Sequence, residues 1–584
     1  MALCVVAPQP AWANDPIAAM ERQIKAMQEQ LHAMKARQAA ENARVRAELK
    51  AQRELFEADP YVPRTRALSP HMARMMGVAP TGGAPPQDLF GLRYQRATSP
   101  GYGPGKPTTL AEQWNHLLPS RSASTPYGLV DATPPAHPDL YQPLRRGQLQ
   151  IGGIRITLGG YLEAAGFWRS RTMGSDISSA WQNIPWANQP AYHMSSFNQS
   201  ERQSRVSVLV EGMLTKKIEA DGYFETDFQA AGSSSNSRQS SSYVNRVRQI
   251  YGELKDHEDG LYLLGGQAWS LLTMFNKGMF ARDEQAPVVI EANYLPGFMW
   301  TRAPQIRLLK TFGAEERYGL AFSVENPSAI PADSAQHPAS MNITDRVSGT
   351  GINNPSTWYA TDPAPDLVAK AAADPGWGHY ELTGVMRFMR DRTSHQGGGS
   401  NHTIIAGGGG GGMILPLMPE RKFYIQLSGM VGRGIGRYGS AQLPDYTWNR
   451  AGGPLALPEA SALVGIYGSP LKNLMFYGYA GAERVLSREG WESGGNPYGY
   501  GNRAYSMGGC MVELGKNCMA GANVHQVSQA TGGWWWSAAH GDYGKLLVGA
   551  QYSHTWVNAF SGRGGKPRTD ENMVFFSLRY MPFN

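Results

Sequence analysis

Residues 217–228 read Lys-Ile-Glu-Ala-Asp-Gly-Tyr-Phe-Glu-Thr-Asp-Phe, and their character changes at every second position. Successive side chains of a β-strand point to opposite faces. As a strand, this stretch puts Lys217, Glu219, Asp221, Tyr223, Glu225 and Asp227 on one side. Ile218, Ala220, Gly222, Phe224, Thr226 and Phe228 fall on the other. Four carboxylates on one wall are costly in a packed core, because unpaired buried charge is expensive. A half-exposed strand of a soluble sandwich shows the same alternation. A large membrane barrel also suits it, with the ionic face bordering enclosed water and the apolar face touching lipid.

The rest of the chain decides between these readings. Sixteen segments of residues 149–584 read as strands, near 154–169, 203–214, 217–229, 244–255, 260–268, 304–312, 317–326, 365–371, 378–390, 401–415, 421–432, 461–468, 472–486, 521–538, 543–556 and 571–582. Their connections alternate in length. Short ones fall at 215–216, 256–260, 313–316, 374–376, 416–420, 469–470 and 540–542. Long ones fall at 170–202, 230–243, 269–303, 327–364, 433–460 and 487–520. Short turns at one end and long loops at the other mark an outer-membrane barrel, whereas a soluble β-protein has no reason to sort loops by side. The expected fold is therefore all-β, a 16-stranded antiparallel transmembrane barrel. An even strand count leaves both barrel ends on the short-turn, periplasmic side. The last strand sets Val574, Phe576, Leu578 and Tyr580 against Phe575, Ser577 and Arg579, an apolar-aromatic closing strand. Trp534-Trp535-Trp536, beside a short turn, suits an interfacial aromatic girdle, with a local core cluster as the other reading.

Composition agrees. The chain has 584 residues, 42% hydrophobic and 17% charged, with 68 Gly, 39 Pro and 27 Tyr. It has no run of apolar residues long enough for a transmembrane helix, and the uncharged stretch 403–419 carries Gly407–Gly412, Pro416 and Pro419. Closed barrels satisfy every backbone group without such helices. The net charge of +7 comes mostly from the first 148 residues, with no clustered basic face of the kind that binds nucleic acid.

Those first residues form three regions. Residues 1–13 end in Ala11-Trp12-Ala13, an A-x-A cleavage pattern after a short apolar stretch, and read as the remnant of an export signal that lacks its basic region. Residues 14–57 read as a periplasmic coiled coil. Asp15 and Pro16 suit a helix start, and Ile17, Met20, Ile24, Met27, Leu31 and Met34 are spaced as an a/d seam. Residues 58–148, dense in Pro and Gly, read as an extended linker. Beyond Cys4, the cysteines are Cys510 and Cys518. They lie eight apart in a Gly-rich loop, where an exported protein is expected to close a small disulfide.

Several stretches together resemble the trimeric outer-membrane porins of the DcaP-like kind. They are GGYLEAAGFWRSR (159–171), ERQSRVSVLVEG (201–212), YFETDF (223–228), GGQAWSLLT (265–273), YLPGFMWTRAPQIRLLK (294–310), DPGWGHYEL (374–382) and GRGIGRYGSAQLPD (432–445). The resemblance implies a passive channel built from three barrels, with an N-terminal periplasmic coiled coil. Its partners would be two further copies, outer-membrane lipid and small hydrophilic solutes. It names no solute.

Selectivity in such a channel comes from charge and pore radius, with no bond making. By alternation, Arg205, Lys217, Glu219, Asp221, Glu225, Asp227, Arg246, Arg248 and Arg387 are expected to line the pore. Arg246 and Arg248 share a face, so a basic ladder opposite the acidic one is expected. The long segment after the fifth strand is the candidate constriction. Gln267 and Trp269 begin it, and Lys277, Arg282, Asp283, Glu284 and Glu291 supply charge. An ordinary extracellular loop is the other reading of its length. No G-x-S-x-G, H-E-x-x-H or Walker motif occurs, and no cofactor or metal is expected. A structural or polysaccharide-export barrel tethered through its coiled coil is the alternative function.

Overall fold

A computed structural model describes residues 144 and 146–583, with Lys25, apart from 233–237, 239, 351–356, 419–422 and 472. The signal remnant, the coiled coil and nearly all of the linker lie outside the described residues.

Sixteen antiparallel strands close into one barrel. They are β1 (Ile154–Arg169), β2 (Arg205–Met213), β3 (Ile218–Asp227), β4 (Arg246–Asp256), β5 (Leu261–Trp269), β6 (Arg302–Phe312), β7 (Tyr318–Glu325), β8 (Asp366–Ala373), β9 (His379–His395), β10 (Gly398–Met418), β11 (Phe423–Arg433), β12 (Pro458–Leu471), β13 (Leu474–Val485), β14 (Val524–Gly541), β15 (Gly544–Ala559) and β16 (Arg568–Met581). Each pairs with its neighbour in sequence. Closure comes where β16 meets β1, from Leu162 opposite Tyr580 to Arg169 opposite Met573. The terminal strand carries the hydrogen bonds that remove the last open edge. Each of the sixteen expected strands overlaps one of these. Gln148–Ile151 adds a short strand that pairs with the start of β1.

The faces are inside out relative to a soluble protein. Outward side chains are apolar, with Leu382 72%, Ile405 69% and Ile306 63% exposed. The enclosed side carries charge, with Glu219, Glu225, Asp227 and Arg579 at 0%. No strand could hold this arrangement in water, where the apolar faces would coalesce. The apolar core does not come from the strands alone. Trp181, Val288, Ile290, Leu295, Phe298, Leu443 and Tyr500 belong to the long connections and pack with Tyr161, Phe167, Tyr479 and Phe575 of the wall.

The connections differ from expectation at one place. Strands β9 and β10 run 17 and 21 residues and are joined tightly at 396–397, where His395 pairs with Gly398. The sequence pattern stops at 390 and resumes at 401, because both faces of this ribbon are polar beyond that height and carry no alternation. The tryptophan triplet divides between the two faces. Trp536 is exposed outward, while Trp535 is buried and donates from Nε1 to the Val288 carbonyl 2.8 Å away.

Gly407–Gly412 lie within β10 in unbroken register with β9 and β11. A Cβ on Gly408 or Gly410 would collide with the carbonyl oxygens of Val431 or Gly429, and one on Gly411 with that of Glu381. Only glycine lets neighbouring backbones come so close here. Gly410→Val is expected to destabilise the barrel by about 1–3 kcal/mol through overpacking. The expected readout is a lower midpoint in detergent unfolding, with Gly399→Val at the ribbon tip unsuitable as a control because it also meets backbone. Gly153→Val, with nothing near its Cβ, serves instead.

Candidate functional site

Strand β3 supplies the acids, and β2 and β4 supply the bases that answer them. Toward the long-loop end, Arg248 Nε donates to Glu225 Oε1 at 2.5 Å, and its Nη1 donates to Asp227 Oδ2 at 2.8 Å. Arg246 reaches Asp227 at 2.7 Å and Arg205 reaches Glu225 at 3.7 Å. Toward the short turns, Lys255 bonds Asp221 and lies 3.5 Å from Glu219 Oε1, while His257 is 2.9 Å from Glu219 Oε2. The basic ladder thus runs beside the acidic one on adjoining strands and neutralises it laterally. Sequence reasoning expected the two ladders to face each other. Lys217 is a correction: it lies in the turn before β3, exposed, and pairs with Glu258. Arg387 is buried on β9 between Asp366 at 3.2 Å and Asp445 at 2.7 Å.

Oxygens of Glu211, Glu219 and Asp221 lie within 4.8 Å of one another and form the only such acidic cluster among the described residues. The Lys255 ammonium already sits against two of them, so a metal ion would have to displace it.

The segment 270–301 is the most buried connection. It hydrogen-bonds to enclosed-face side chains from ten barrel strands. Arg282 Nη1 donates to Tyr251 Oη on β4 at 3.0 Å, and Nη2 lies 3.4 Å from Asp221 on β3. The Leu271 amide donates to Glu325 on β7, the Phe275 amide to Glu381 on β9, and Lys370 on β8 donates to the Thr273 carbonyl. Gln426 on β11, Ser461 on β12 and Trp535 on β14 donate to carbonyls of the segment. Glu483 on β13 and Gln551 on β15 accept from its amides. Among the expected constriction residues, Trp269 packs on Trp300 and Tyr294, with ring centroids 5.6 and 5.9 Å apart. Arg282, Asp283 and Glu284 are buried, and Lys277 is half-buried. Gln267 does not join them. It lies on the outward side of β5 opposite Ile250, and its amide donates to the carbonyls of Val247 and Arg248.

Glu291 is fully buried and accepts from the Ser179 amide and hydroxyl, tying this segment to the connection after β1. Burial raises its carboxyl above the usual range, and Arg169 opposes the shift. Burial pushes the Glu284 carboxyl up to about 7, with Arg307 opposing. A folded-state value above the unfolded one favours the protonated form, so this contribution is complete below about pH 4.5 and is lost as pH rises through about 7. Glu284→Gln is expected to remove that loss. The variant should be about 2–3 kcal/mol more stable than the parent at pH 8 and equal to it at pH 4, by denaturant midpoint at both values.

Sequence reasoning missed Lys370, Glu381, His379 and Asp374, a buried chain of ion pairs at 2.7–3.0 Å. The alternation of Asp366–Ala373 puts Lys370 on the enclosed face and was the available signal. Asp445 and Glu483 gave none, because their partners come from distant segments. Cys510 and Cys518 are bonded to each other in the 486–523 connection.

No protein-family model matches this sequence, and no curated protein matches it. Solved structures do. The outer-membrane channel DcaP of Acinetobacter baumannii superposes with a TM-score of 0.52 at 14% identity, covering 75% of this chain and 100% of that one. The chain has the DcaP channel fold. An anion-selective porin from Comamonas acidovorans covers 73% of this chain and 99% of its own, at 9% identity and a TM-score of 0.37. Salmonella typhi OmpF in complex with daunomycin covers 74% and 100%, at 9% identity and 0.38.

Proposed function

We propose that the protein is a porin of the bacterial outer membrane, passing small hydrophilic solutes by passive diffusion through a lumen narrowed by segment 270–301. The observation that carries this reading is the exposed apolar face and enclosed ionic face of a closed sixteen-strand barrel. Bilayer hydrocarbon suits the first and a polar lumen the second. The hydrogen bonds from ten strands support an inward course for 270–301, and Arg282, Asp283 and Glu284 would then stand at the constriction. Arg246, partly exposed, would border the solute path, and Arg205, Glu219, Asp221, Glu225, Asp227, Arg248 and Arg387 would set the field of the lumen from within the wall. The protein acts as a homotrimer, with its N-terminal region in the periplasm, in keeping with the sequence resemblance. No enzymatic step is assigned to it.

A structural or export barrel is the second reading. It is favoured by the near-complete burial of the enclosed charges, which leaves little water beside them. Planar-bilayer recording of the full-length protein separates the two. Conductance steps in groups of three are expected for the porin. A silent bilayer with folded, heat-modifiable protein would favour the structural barrel.

A further inference from the structure

The outer surface of the barrel carries a groove of about 1180 Å³. Leu320 on β7 and Trp556 on β15 both line it, so the wall between them bows inward. Its floor includes the small outward residues Gly411, Ala462, Ala482 and Ser528, which lie in one register row through Gly429. Gly411 and Gly412 of the glycine run line it, and their missing side chains leave room in the wall. The volume exceeds the roughly 300–1,000 Å³ of ordinary small-molecule sites. Its lining is almost wholly apolar, so in a bilayer it must be filled by something with hydrocarbon chains or a matching protein face.

Charge selects between them. On the outward faces of β7–β15, no aspartate or glutamate occurs among the described residues. The charged side chains there are Arg390, Arg392, Arg433 and Arg484, all toward the long-loop end. Arg484 stands two residues beyond Ala482 of the floor, about 7 Å along the strand. It is exposed, and its Nε meets His525 Nε2 at 3.1 Å. Arg433 is exposed and lies 3.7 Å from Glu489 of the neighbouring connection. Two copies seated groove to groove would set arginine against arginine, and a copy presenting another face is the outcome that cross-linking at Ala482 detects. A lipid with phosphate at its head and several acyl chains matches both parts.

We infer that this groove binds an anionic, phosphorylated lipid of the long-loop leaflet, with its chains on the Gly411–Ala482 floor and its phosphates on Arg433 and Arg484. Guanidinium–phosphate pairs are charge-assisted and bidentate, which gives the headgroup a fixed position. The inference rests on the outer-membrane placement and is independent of whether the lumen conducts.

The test uses the full-length protein in phosphatidylcholine nanodiscs containing bis-phosphorylated lipid A, or its dephosphorylated form with the same chains. Retained lipid is counted by native mass spectrometry. Phosphorylated lipid A is expected to be retained at least about tenfold over the dephosphorylated form. Arg433→Ala with Arg484→Ala should abolish that preference, and Arg484→Lys should keep part of it. Ala462→Phe with Ala482→Phe should lower retention of both lipids. Heat-modifiable mobility identifies variants that have folded. Equal retention of the two lipids, or indifference to all of these variants, overturns the inference. Rapid disulfide cross-linking of Ala482→Cys between copies also overturns it, because a second copy would then occupy the groove. Conductance of the unmodified protein tests the channel reading separately, since lipid retention needs no open lumen.

Discussion

Replacing residues 272–299 by a short Gly-Ser linker is expected to raise single-channel conductance at least about threefold, because a sixteen-strand barrel without an inserted segment encloses an aqueous channel. The segment is held by side chains spread around most of the wall, from Asp221 on β3 to Gln551 on β15. Among the described residues, no other connection reaches so many strands. Its removal deprives Glu381, Glu483 and Lys370 of bonded partners. Those groups would then face water, which replaces the lost hydrogen bonds, so the barrel should survive. The measurement is planar-bilayer recording of variant and parent in the same salt, after both show the mobility shift of a folded barrel on heating. Unchanged conductance from a folded variant would place the barrier in another connection and remove the assigned role of 270–301.

Arg248→Gln is expected to cost about 3–4 kcal/mol, the range for breaking a buried ion pair by deleting one partner. Arg248 is 3% exposed and bonds both Glu225 and Asp227. Both carboxylates are at 0% exposure, so water cannot take over from the guanidinium. Arg205, 3.7 Å from Glu225, and Arg246, 2.7 Å from Asp227, each retain one carboxylate, which keeps the cost below full isolation of two charges. The check is urea unfolding in detergent, followed by tryptophan fluorescence. Pairing the change with Glu225→Gln should restore part of the loss, because the double variant no longer buries the surplus negative charge. A single variant as stable as the parent would mean that solvent reaches this network freely.

Strands were readable because their physics is local. Alternation needs only neighbours two residues apart, and the bilayer demands it on every strand, so all sixteen could be located. The same rule put Glu219, Asp221, Glu225 and Asp227 on one face, and all four are buried. It failed at Lys217, where the chain is already turning; Gln267, chosen for its place at the head of the long segment, keeps the outward parity of Leu261, Leu263 and Gly265 and opposes Ile250. It also stopped short on the β9–β10 ribbon, whose outer part has no apolar face to reveal it.

What surrounds each enclosed charge was not readable. An isolated strand says that Asp221 points inward, but not that Lys255 and Arg282 meet it there, because those partners come from β4 and from a segment that returns through distant contacts. Alternation therefore implied a wet ionic wall, whereas the folded chain pairs these charges with one another and covers them with its long connections. By itself, the sequence determined the strand count, the two faces and the sorting of loops, since each follows from spacing along the chain. Only the tertiary structure decided the path of 270–301, the outer groove beside the glycine run and the partners of the buried ions, because those depend on which remote segments come together in space.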